Sequence, residues 1–332
     1  MKRRFLIILA IVFVLLCVAY AAVSMLSSQS NIRVEKSEGA LCYLPILSTP
    51  PEVELVPGIR FKLDTGSDLS TITEEDLARL DSLGFYAEES FYPVIGRDGN
   101  GSINIKTKRY TVSLPLLKYE IRTDSLGNRY GVGKWKDANI IHNVEFAPSL
   151  TGKSVLGIDF LQKFRVEYLF NDRAIALYLD EPDGYVTCTD IIASKAPLSI
   201  PMLGKRYFVD FKVDGHAESF FLDTGIRAAR IKMPAGEAIN SRGRLADDTI
   251  VSAIGEFPAK VSDNAIVSIG ERTGLGKVYY YDSKEEPYAF NPFNLFLQDA
   301  LIDFPNRVLK LRPVYKRSHT IPELVSYVTI ED

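Results

Sequence analysis

The chain has few of the residues that usually bind metals. It contains three cysteines and three histidines among 332 residues, and they are too scattered to form a metal site. Its net charge is also small, −3 at neutral pH, so the charge balance gives no indication of a nucleic-acid partner. We therefore expect neither a bound metal nor nucleic-acid binding.

The few cysteines leave the redox state of the protein open. Cys17 lies in an apolar N-terminal segment, and Cys42 and Cys188 are the only two in the remainder. Each of these two precedes a strand-like segment that contains proline. They could pair in an exported protein, and two free buried thiols are the alternative.

The N-terminus combines a basic start with a long apolar run. Met1–Arg4 is basic, and Phe5–Leu26 is apolar except for Ser24. This run is 22 residues long, which is enough to span a bilayer. The positive flank predicts that the N-terminus stays in the cytoplasm and that the rest is translocated. We favour an uncleaved transmembrane signal anchor over 1–26, followed by a tether over 27–39.

A cleaved signal peptide is the alternative to an anchor. Ala19-Tyr20-Ala21 offers a small-residue cleavage site. Lipid attachment at Cys17 is not favoured, because a leucine precedes that cysteine. Both interpretations place the body of the protein outside the cytoplasm, membrane-anchored or secreted. In a bacterium this would be the periplasm or cell envelope.

The remaining sequence is that of a globular protein, and its most informative feature is a repeated tripeptide. It is 46% hydrophobic and 24% charged, and its length allows two hydrophobic cores. Asp64-Thr65-Gly66 follows the alternating strand Ile59–Leu63, and Asp223-Thr224-Gly225 follows the apolar segment Ser219–Leu222. One copy is typical of a turn after a strand. Two copies in matching positions favour a shared function.

These residue types suit a pair of facing carboxylates. Glycine permits a tight turn and the close approach of a second backbone, and the threonine hydroxyl can brace the loop. Two like charges close together cannot both ionise, so Asp64 and Asp223 would share one proton. One carboxylate can then act as base on a water molecule and the other as acid to a carbonyl.

The two motifs resemble those of aspartic proteases, retropepsin-like or pepsin-like, with two lobes in one chain. The resemblance covers about residues 52–312. It implies an all-β fold, a two-lobed closed β-barrel pseudo-dimer with few short helices. It also implies catalysis by Asp64 and Asp223 without a cofactor, a peptide or protein substrate, and a monomer whose two lobes form an internal pseudo-dimer.

An internal repeat supports two lobes. Phe160–Leu177 and Phe296–Leu311 both predict a helix, a strand, a turn with asparagine and arginine, and a second strand. We expect a first lobe over 40–182, a linker over 183–195 and a second lobe over 196–313. The tail, 314–332, stays unassigned.

A predicted hairpin follows the first motif. Strands at Phe91–Ile95 and Ser102–Ile105 flank the glycine-rich segment Gly96–Gly101. In the resembled family a hairpin here closes over the substrate, which would place Gly99 and Gly101 against it. An ordinary surface hairpin is the alternative.

The resemblance also implies roles for residues around the two motifs. Thr65, Gly66, Ser67, Thr224 and Gly225 would brace the loops, and Gly157 would let the chain pass beneath the first one. In that family an aspartate two residues after the motif glycine contacts the substrate backbone; Asp68 keeps it, and Arg227 replaces it in the second lobe. We expect Asp68 and Arg227 to contact opposite ends of the peptide.

The C-terminal half departs from the family pattern. Ile226 cannot donate a hydrogen bond to Asp223 as Ser67 could to Asp64. Asn291-Pro292-Phe293 aligns with Val155-Leu156-Gly157, so the second glycine is missing.

Two classes of function follow from the sequence. The first is an aspartic endopeptidase that is membrane-anchored or exported. The second is a non-catalytic peptide-binding protein that retains the fold, since a fold does not fix a function. In a third interpretation only the first lobe is active and pairs with another chain, but the second Asp-Thr-Gly argues against it.

Overall fold

The computed structural model describes residues 32–34, 38–97, 103–194, 206–232, 245–252, 255–281, 288–295, 298–313 and 323–331. The expected membrane anchor or signal peptide, 1–26, and most of the tether lie outside these ranges, as do Gly99 and Gly101 of the predicted hairpin tip. Within the described ranges, the helices are all too short or too polar to cross a membrane.

The described chain is mainly β-structure, which confirms the predicted all-β class. Its strands are β1 (Arg33–Val34), β2 (Cys42–Ser48), β3 (Glu52–Val56), β4 (Ile59–Leu63), β5 (Thr71–Ile72), β6 (Glu88–Arg97), β7 (Ile103–Leu116), β8 (Glu120–Thr123), β9 (Arg129–Lys134), β10 (Asn139–Pro148), β11 (Ser154–Leu156), β12 (Arg165–Leu169), β13 (Ala174–Tyr178), β14 (Val186–Asp190), β15 (Ile192–Ser194), β16 (Arg206–Val213), β17 (His216–Leu222), β18 (Ala229–Lys232), β19 (Ala246–Ser252), β20 (Gly255–Ile269), β21 (Arg272–Tyr281), β22 (Ala289–Phe290), β23 (Ala300–Asp303), β24 (Val308–Leu311) and β25 (Tyr327–Glu331). The helices are α1 (Glu74–Ser82), α2 (Ile158–Leu161) and α3 (Pro292–Leu295), with a 3-10 turn at Trp135–Asp137.

The segment Thr73–Leu80 predicts a short helix with Thr73 as its N-cap, and α1 begins directly after Thr73. The Thr73 hydroxyl accepts from the Asp76 N–H at 3.1 Å and caps the N-terminus. The first turn carries three acidic side chains, which interact favourably with the positive end of the helix dipole: Glu74, Glu75 and Asp76.

The largest sheet joins strands from both halves of the chain. Its order is β14-β24-β23-β12-β13-β2-β3-β4-β11-β5-β10-β7-β6, and β1 pairs with β10. Strands β23 and β12, third and fourth in this order, join the two halves, and Arg165 lies opposite Asp303 and Tyr168 opposite Ala300. The described strands of this sheet do not close into the expected barrel, because β14 and β6 stand at its two ends.

The second sheet is built from the C-terminal half and the segment before it. Its order is β15-β16-β17-β22-β18-β21-β20-β19, and β16 also pairs with β20. The sequence Thr249–Lys260, with a turn near Gly255, predicts a second hairpin, and β19 and β20 form one in which Ser252 lies opposite Gly255.

The strand–turn–strand part of the predicted repeat occurs at the end of each half, whereas Phe296 and Leu297, where the second helix was expected, lie outside the described residues. Helix α2 precedes the β12–β13 pair, and α3 precedes the β23–β24 pair. The two turns end on the same unusual backbone, since φ is 52° at Arg173 and 57° at Arg307. Two segments of different sequence therefore form the same supersecondary unit.

One hydrophobic cluster runs beneath both Asp-Thr-Gly turns. Phe61 lies before the first turn, and Phe220 and Phe290 lie before and beside the second; all three are almost fully buried. Burial of such a side chain stabilises a fold by roughly 1.5–3 kcal/mol. The strands that carry the two aspartates are thus anchored in the core.

Two segments are more ordered than the sequence indicates. The range predicted as a linker, 183–195, contains β14 and β15, which pair with β24 and β16. Within the unassigned tail, β25 pairs in parallel with β9, and Tyr327 stacks on Tyr130 at 5.3 Å.

Cys42 and Cys188 are free thiols. They lie on β2 and β14, which are five strand spacings apart in the largest sheet. Strands lie about 4.8 Å apart, so this separation is roughly 24 Å. A disulfide needs Cα atoms within about 7 Å, so this fold keeps the two thiols apart.

Candidate active site

The first Asp-Thr-Gly turn begins where β4 ends. Ile59, Phe61 and Leu63 of β4 are buried and alternate with more exposed residues, as the sequence pattern predicts. Strand β11 runs parallel to β4, and the Asp64 N–H donates to the Leu156 carbonyl at 3.0 Å. This hydrogen bond fixes the backbone that carries the Asp64 carboxylate.

The second turn is built in the same way at the end of β17. Strand β22 runs parallel to β17, and the Asp223 N–H donates to the Phe290 carbonyl at 3.0 Å. In both turns the glycine N–H donates to Oδ1 of the aspartate, at 3.0 Å for Gly66 and 2.8 Å for Gly225. Asp64 and Asp223 therefore have the same backbone support.

Thr65 and Thr224 join the two turns by four hydrogen bonds. The N–H of each donates to Oγ1 of the other at 3.0 Å. Thr65 Oγ1 donates to the Leu222 carbonyl at 2.7 Å, and Thr224 Oγ1 donates to the Leu63 carbonyl at 3.0 Å. Both threonines are buried. Each hydroxyl donates once and accepts once, so this network of four hydrogen bonds holds the two turns face to face.

The glycine of each turn lies against the carboxylate of the other. A Cβ atom built on Gly66 would be 2.8 Å from Cγ of Asp223, and one on Gly225 would be 2.5 Å from Cγ of Asp64. Real Cβ atoms essentially never come within 3.0 Å of another atom. Only glycine fits at either position, and the two turns bring Asp64 and Asp223 into one site.

The electrostatic environment favours a proton on Asp223. Its pKa is raised from 3.8 to about 7, first by burial and second by the negative charge of Asp64. Lys62, the Gly225 N–H and Arg230 act in the opposite direction. At mildly acidic pH the pair can therefore hold one proton and one negative charge.

Lys62 is a site residue that the sequence interpretation missed. Its Nζ lies 2.7 Å from Oδ2 of Asp64, and the two side chains are only 25% and 17% exposed. Residues two apart in a strand project to the same face. A lysine two positions before the aspartate was therefore a readable signal.

Gly157 lies directly beneath the first turn. A Cβ atom built on it would be 2.5 Å from the carbonyl carbon of Leu69 and 2.9 Å from the carbonyl oxygen of Ser67. Without a side chain there, the Ile158 N–H can donate to the Ser67 carbonyl at 2.8 Å. The Ser67 hydroxyl donates to the Leu69 carbonyl at 2.9 Å, rather than to Asp64 as the sequence suggested.

Asp159 in α2 braces the same turn. Its Oδ1 accepts from the Ser70 N–H at 2.8 Å and from the Ser70 hydroxyl at 2.7 Å. Ser70 Oγ in turn accepts from the Gly157 N–H at 3.0 Å. Burial raises the pKa of Asp159 to about 6, against the hydrogen bonds from Ser70.

In the C-terminal half, Asn291 takes the place of Gly157. The sequence alignment put Phe293 at this position, and the strand register shows that alignment to be wrong. The bond from Asp223 to Phe290 corresponds to the bond from Asp64 to Leu156, so the residue after Phe290 is the equivalent of Gly157.

The side chain of Asn291 is fully buried and fully paired. Its Nδ2 donates to the carbonyls of Thr224 at 2.9 Å and Ile226 at 2.8 Å. Its Oδ1 accepts from the Phe293 N–H at 3.0 Å. Asn291 therefore ties the second turn to the start of α3.

The asparagine compensates for a missing backbone donor. Ile158 donates its N–H to Ser67 in the first half, but the matching residue in the second half is Pro292, which has no N–H. The Asn291 amide supplies the bond to Ile226 that the backbone cannot make. Asn291 and Pro292 are therefore linked, because the side-chain amide of Asn291 replaces the backbone N–H that Pro292 lacks.

Asp68 and Arg227 occupy matching places after the two glycines. Asp68 is half-buried and Arg227 is exposed. The pKa of Asp248 is lowered first by the Thr249 N–H and to a smaller extent by the charge of Arg227. Arg227 therefore lies toward β19.

No protein-family model matches the chain, and no curated protein matches it either. Across the residues that the structure covers, no group of three or more histidine, cysteine, aspartate or glutamate side chains could hold a metal ion. What the site offers chemically is two facing carboxyl groups with an ammonium group beside one of them.

Proposed function

We propose that this protein is an aspartic endopeptidase with Asp64 and Asp223 as its catalytic pair. We further propose that its two halves form the two lobes of a pseudo-dimer. The observation that carries the proposal is the network of four hydrogen bonds made by Thr65 and Thr224, which holds two Asp-Thr-Gly turns face to face. A pair of ordinary strand-end turns has no need of such a hydrogen-bond network.

Hydrolysis begins with a water molecule between the two carboxyl groups. The ionised carboxylate takes a proton from the water as its oxygen attacks the carbonyl carbon of the peptide bond. The protonated carboxyl gives its proton to the carbonyl oxygen at the same time. The product of this step is a neutral tetrahedral diol, and the single proton of the pair has changed sides.

The second step breaks the peptide bond and restores the pair. The newly protonated carboxyl donates its proton to the leaving nitrogen, and the other carboxylate takes a proton from one hydroxyl of the diol. The carbon–nitrogen bond breaks, a carboxylic acid and an amine are released, and the starting protonation returns. The pair must act as one unit, because each member is acid in one step and base in the other.

The β6–β7 hairpin is the element we propose to cover the substrate. Strand β7 pairs with β10, and β10 pairs with β5, which directly follows the first turn. Phe91 is 81% exposed and Ile105 is 64% exposed on this hairpin. Exposed apolar side chains suit contact with a ligand. An extended peptide would bind beneath it by main-chain pairing.

We also propose that the catalytic body lies outside the cytoplasm, anchored by the N-terminal apolar run or released by its cleavage. The basic Met1–Arg4 followed by Phe5–Leu26 supports this orientation. Added protease should leave the body intact in whole cells and degrade it once an outer barrier is permeabilised. Degradation only after lysis of the cytoplasm would contradict the orientation.

The proposed activity is tested by incubating the purified full chain with a library of peptides derived from a proteome. We expect internal cleavage that a statine peptide, a mimic of the tetrahedral intermediate, suppresses. Asp64→Asn is the inactive control. Peptide binding without cleavage at any pH would favour the non-catalytic alternative.

A further inference from the structure

The residues two positions before the two aspartates differ in charge. Two positions before Asp64 is Lys62, and its Nζ contacts Oδ2 of Asp64 at 2.7 Å. Two positions before Asp223 is Phe221, an apolar residue that is 8% exposed. The backbone of the two turns is nearly symmetric, but the charge beside the carboxylates is not.

Both oxygens of the Asp64 carboxylate are engaged by donors. Oδ2 accepts from Lys62, and Oδ1 accepts from the Gly66 N–H at 3.0 Å. Because both side chains of the ion pair are largely buried, the surrounding water screens their attraction less than at a surface. This arrangement places a cation and a backbone donor on the two oxygens of the Asp64 carboxylate and fixes its plane.

We propose that Lys62 is a positioning residue that fixes the roles of the two aspartates, with Asp64 as the base that activates water and Asp223 as the acid that holds the proton. The inference rests on the proposed peptidase function. The backbone of the two turns is nearly symmetric, and the contact with Lys62 distinguishes Asp64 from Asp223.

The charges around Asp223 act in both directions: Asp64 raises its pKa, and the two nearby cations lower it. The groups that act on Asp223 are Asp64 and Lys62 from the β4 side, Arg230 from β18, and the Gly225 N–H within its own turn. Of the two cations, Lys62 has the larger effect, and it contacts Asp64 directly. The raised pKa of Asp223, about 7, supports its assignment as the acid.

The first experiment needs no activity and no Lys62 variant. The full chain labelled with carbon-13 at the aspartate carboxyl groups is studied by NMR, with the signals assigned through Asp64→Asn and Asp223→Asn. At about pH 5.5, above the ordinary aspartate value, we expect Asp64 to show an ionised carboxyl and Asp223 a protonated one. The reverse assignment, or a proton divided equally, would overturn the proposal.

The second experiment asks whether Lys62 is the cause. Lys62→Gln keeps a donor without the charge, and Lys62→Arg keeps the charge. In Lys62→Gln we expect the titration of the pair and the acid limb of the pH–rate profile to move up by about one unit or more. We expect kcat/KM to fall about 10- to 100-fold, with most of this loss recovered in Lys62→Arg.

Lys153→Gln is the matched control, because Lys153 also pairs with a carboxylate, Glu52 at 3.5 Å, but is 66% exposed and away from the pair. It should leave the titration and the rate unchanged. An unshifted titration in Lys62→Gln overturns the inference about Lys62, whatever the activity. A shifted titration in a chain that cleaves no peptide contradicts the proposed function alone.

Discussion

Thr65 and Thr224 each donate a backbone N–H to the hydroxyl of the other, although they are 159 positions apart. Each hydroxyl also donates to a strand carbonyl of the opposite half. Thr65→Val keeps the shape but leaves the Thr224 N–H and the Leu222 carbonyl without partners. A buried unsatisfied group costs about 1–3 kcal/mol, so we expect the free energy of unfolding to fall by roughly 2–4 kcal/mol in urea denaturation.

The losses of stability caused by changing the two threonines should also be coupled. Thr65→Ser retains the hydroxyl and is expected to lose much less stability than Thr65→Val. The double variant Thr65→Val/Thr224→Val should lose less than the sum of the single ones, because the two residues share partners. Strictly additive losses would mean that the two turns do not support each other.

Asn291 should be needed only because Pro292 follows it. Asn291→Gly copies the first half but leaves the Ile226 carbonyl without a donor, so we expect a loss of roughly 1–3 kcal/mol and slower peptide cleavage. The double variant Asn291→Gly/Pro292→Ile restores a backbone N–H at the position of Ile158. It should recover part of the loss in thermal unfolding and in rate.

The outcome for this double variant separates two explanations. Recovery means that the missing donor is the cause of the defect. If Asn291→Gly and the double variant are equally unstable, the asparagine acts by filling space rather than by replacing a hydrogen bond.

The stability of the protein should depend on pH through Asp223. The folded protein retains the Asp223 proton up to about pH 7, whereas an ordinary aspartate releases it near 3.8. Between these values the unfolded chain binds fewer protons, so the contribution of Asp223 to the free energy of unfolding falls as pH rises. Relative to wild type, Asp223→Asn should gain on the order of 1–3 kcal/mol across this range.

This gain is measured by urea denaturation at a series of pH values. Asp263→Asn, which changes a 74% exposed carboxylate on β20, is the control and should show little pH-dependent gain. A constant difference between Asp223→Asn and wild type over the whole range would mean that Asp223 titrates like an exposed aspartate.

Local patterns predicted much of the fold. The alternation of β4, the capping signals of α1 and the repeated strand–turn–strand units depend on residues close in sequence. The strands β8, β9 and β25 were not predicted. Strands β9 and β25 pair in parallel across about 200 positions, as with Tyr130 and Tyr327, and no local pattern records such a pairing.

The residues of the candidate site likewise fall into those that a local sequence pattern predicts and those that it does not. Asp64, Asp223 and their turn partners were readable because each motif is a continuous tripeptide. Asn291 was misaligned because the strand before it has only two residues, Ala289–Phe290, and the register could be seen only in space. Lys62 was overlooked because alternation along β4 was read for burial rather than for the face that each residue shares with Asp64.

The most direct test of the central claim is the cleavage rate of the dyad variants. Asp64→Asn, Asp223→Asn and the double variant are compared with wild type on one peptide that wild type cleaves, across the pH range. We expect each single variant to abolish cleavage and the double variant to be no worse, because residues that act as one unit are not additive. If Asp223→Asn keeps full activity while Asp64→Asn loses it, the single-chain pair is wrong and the active form is a dimer of N-terminal halves.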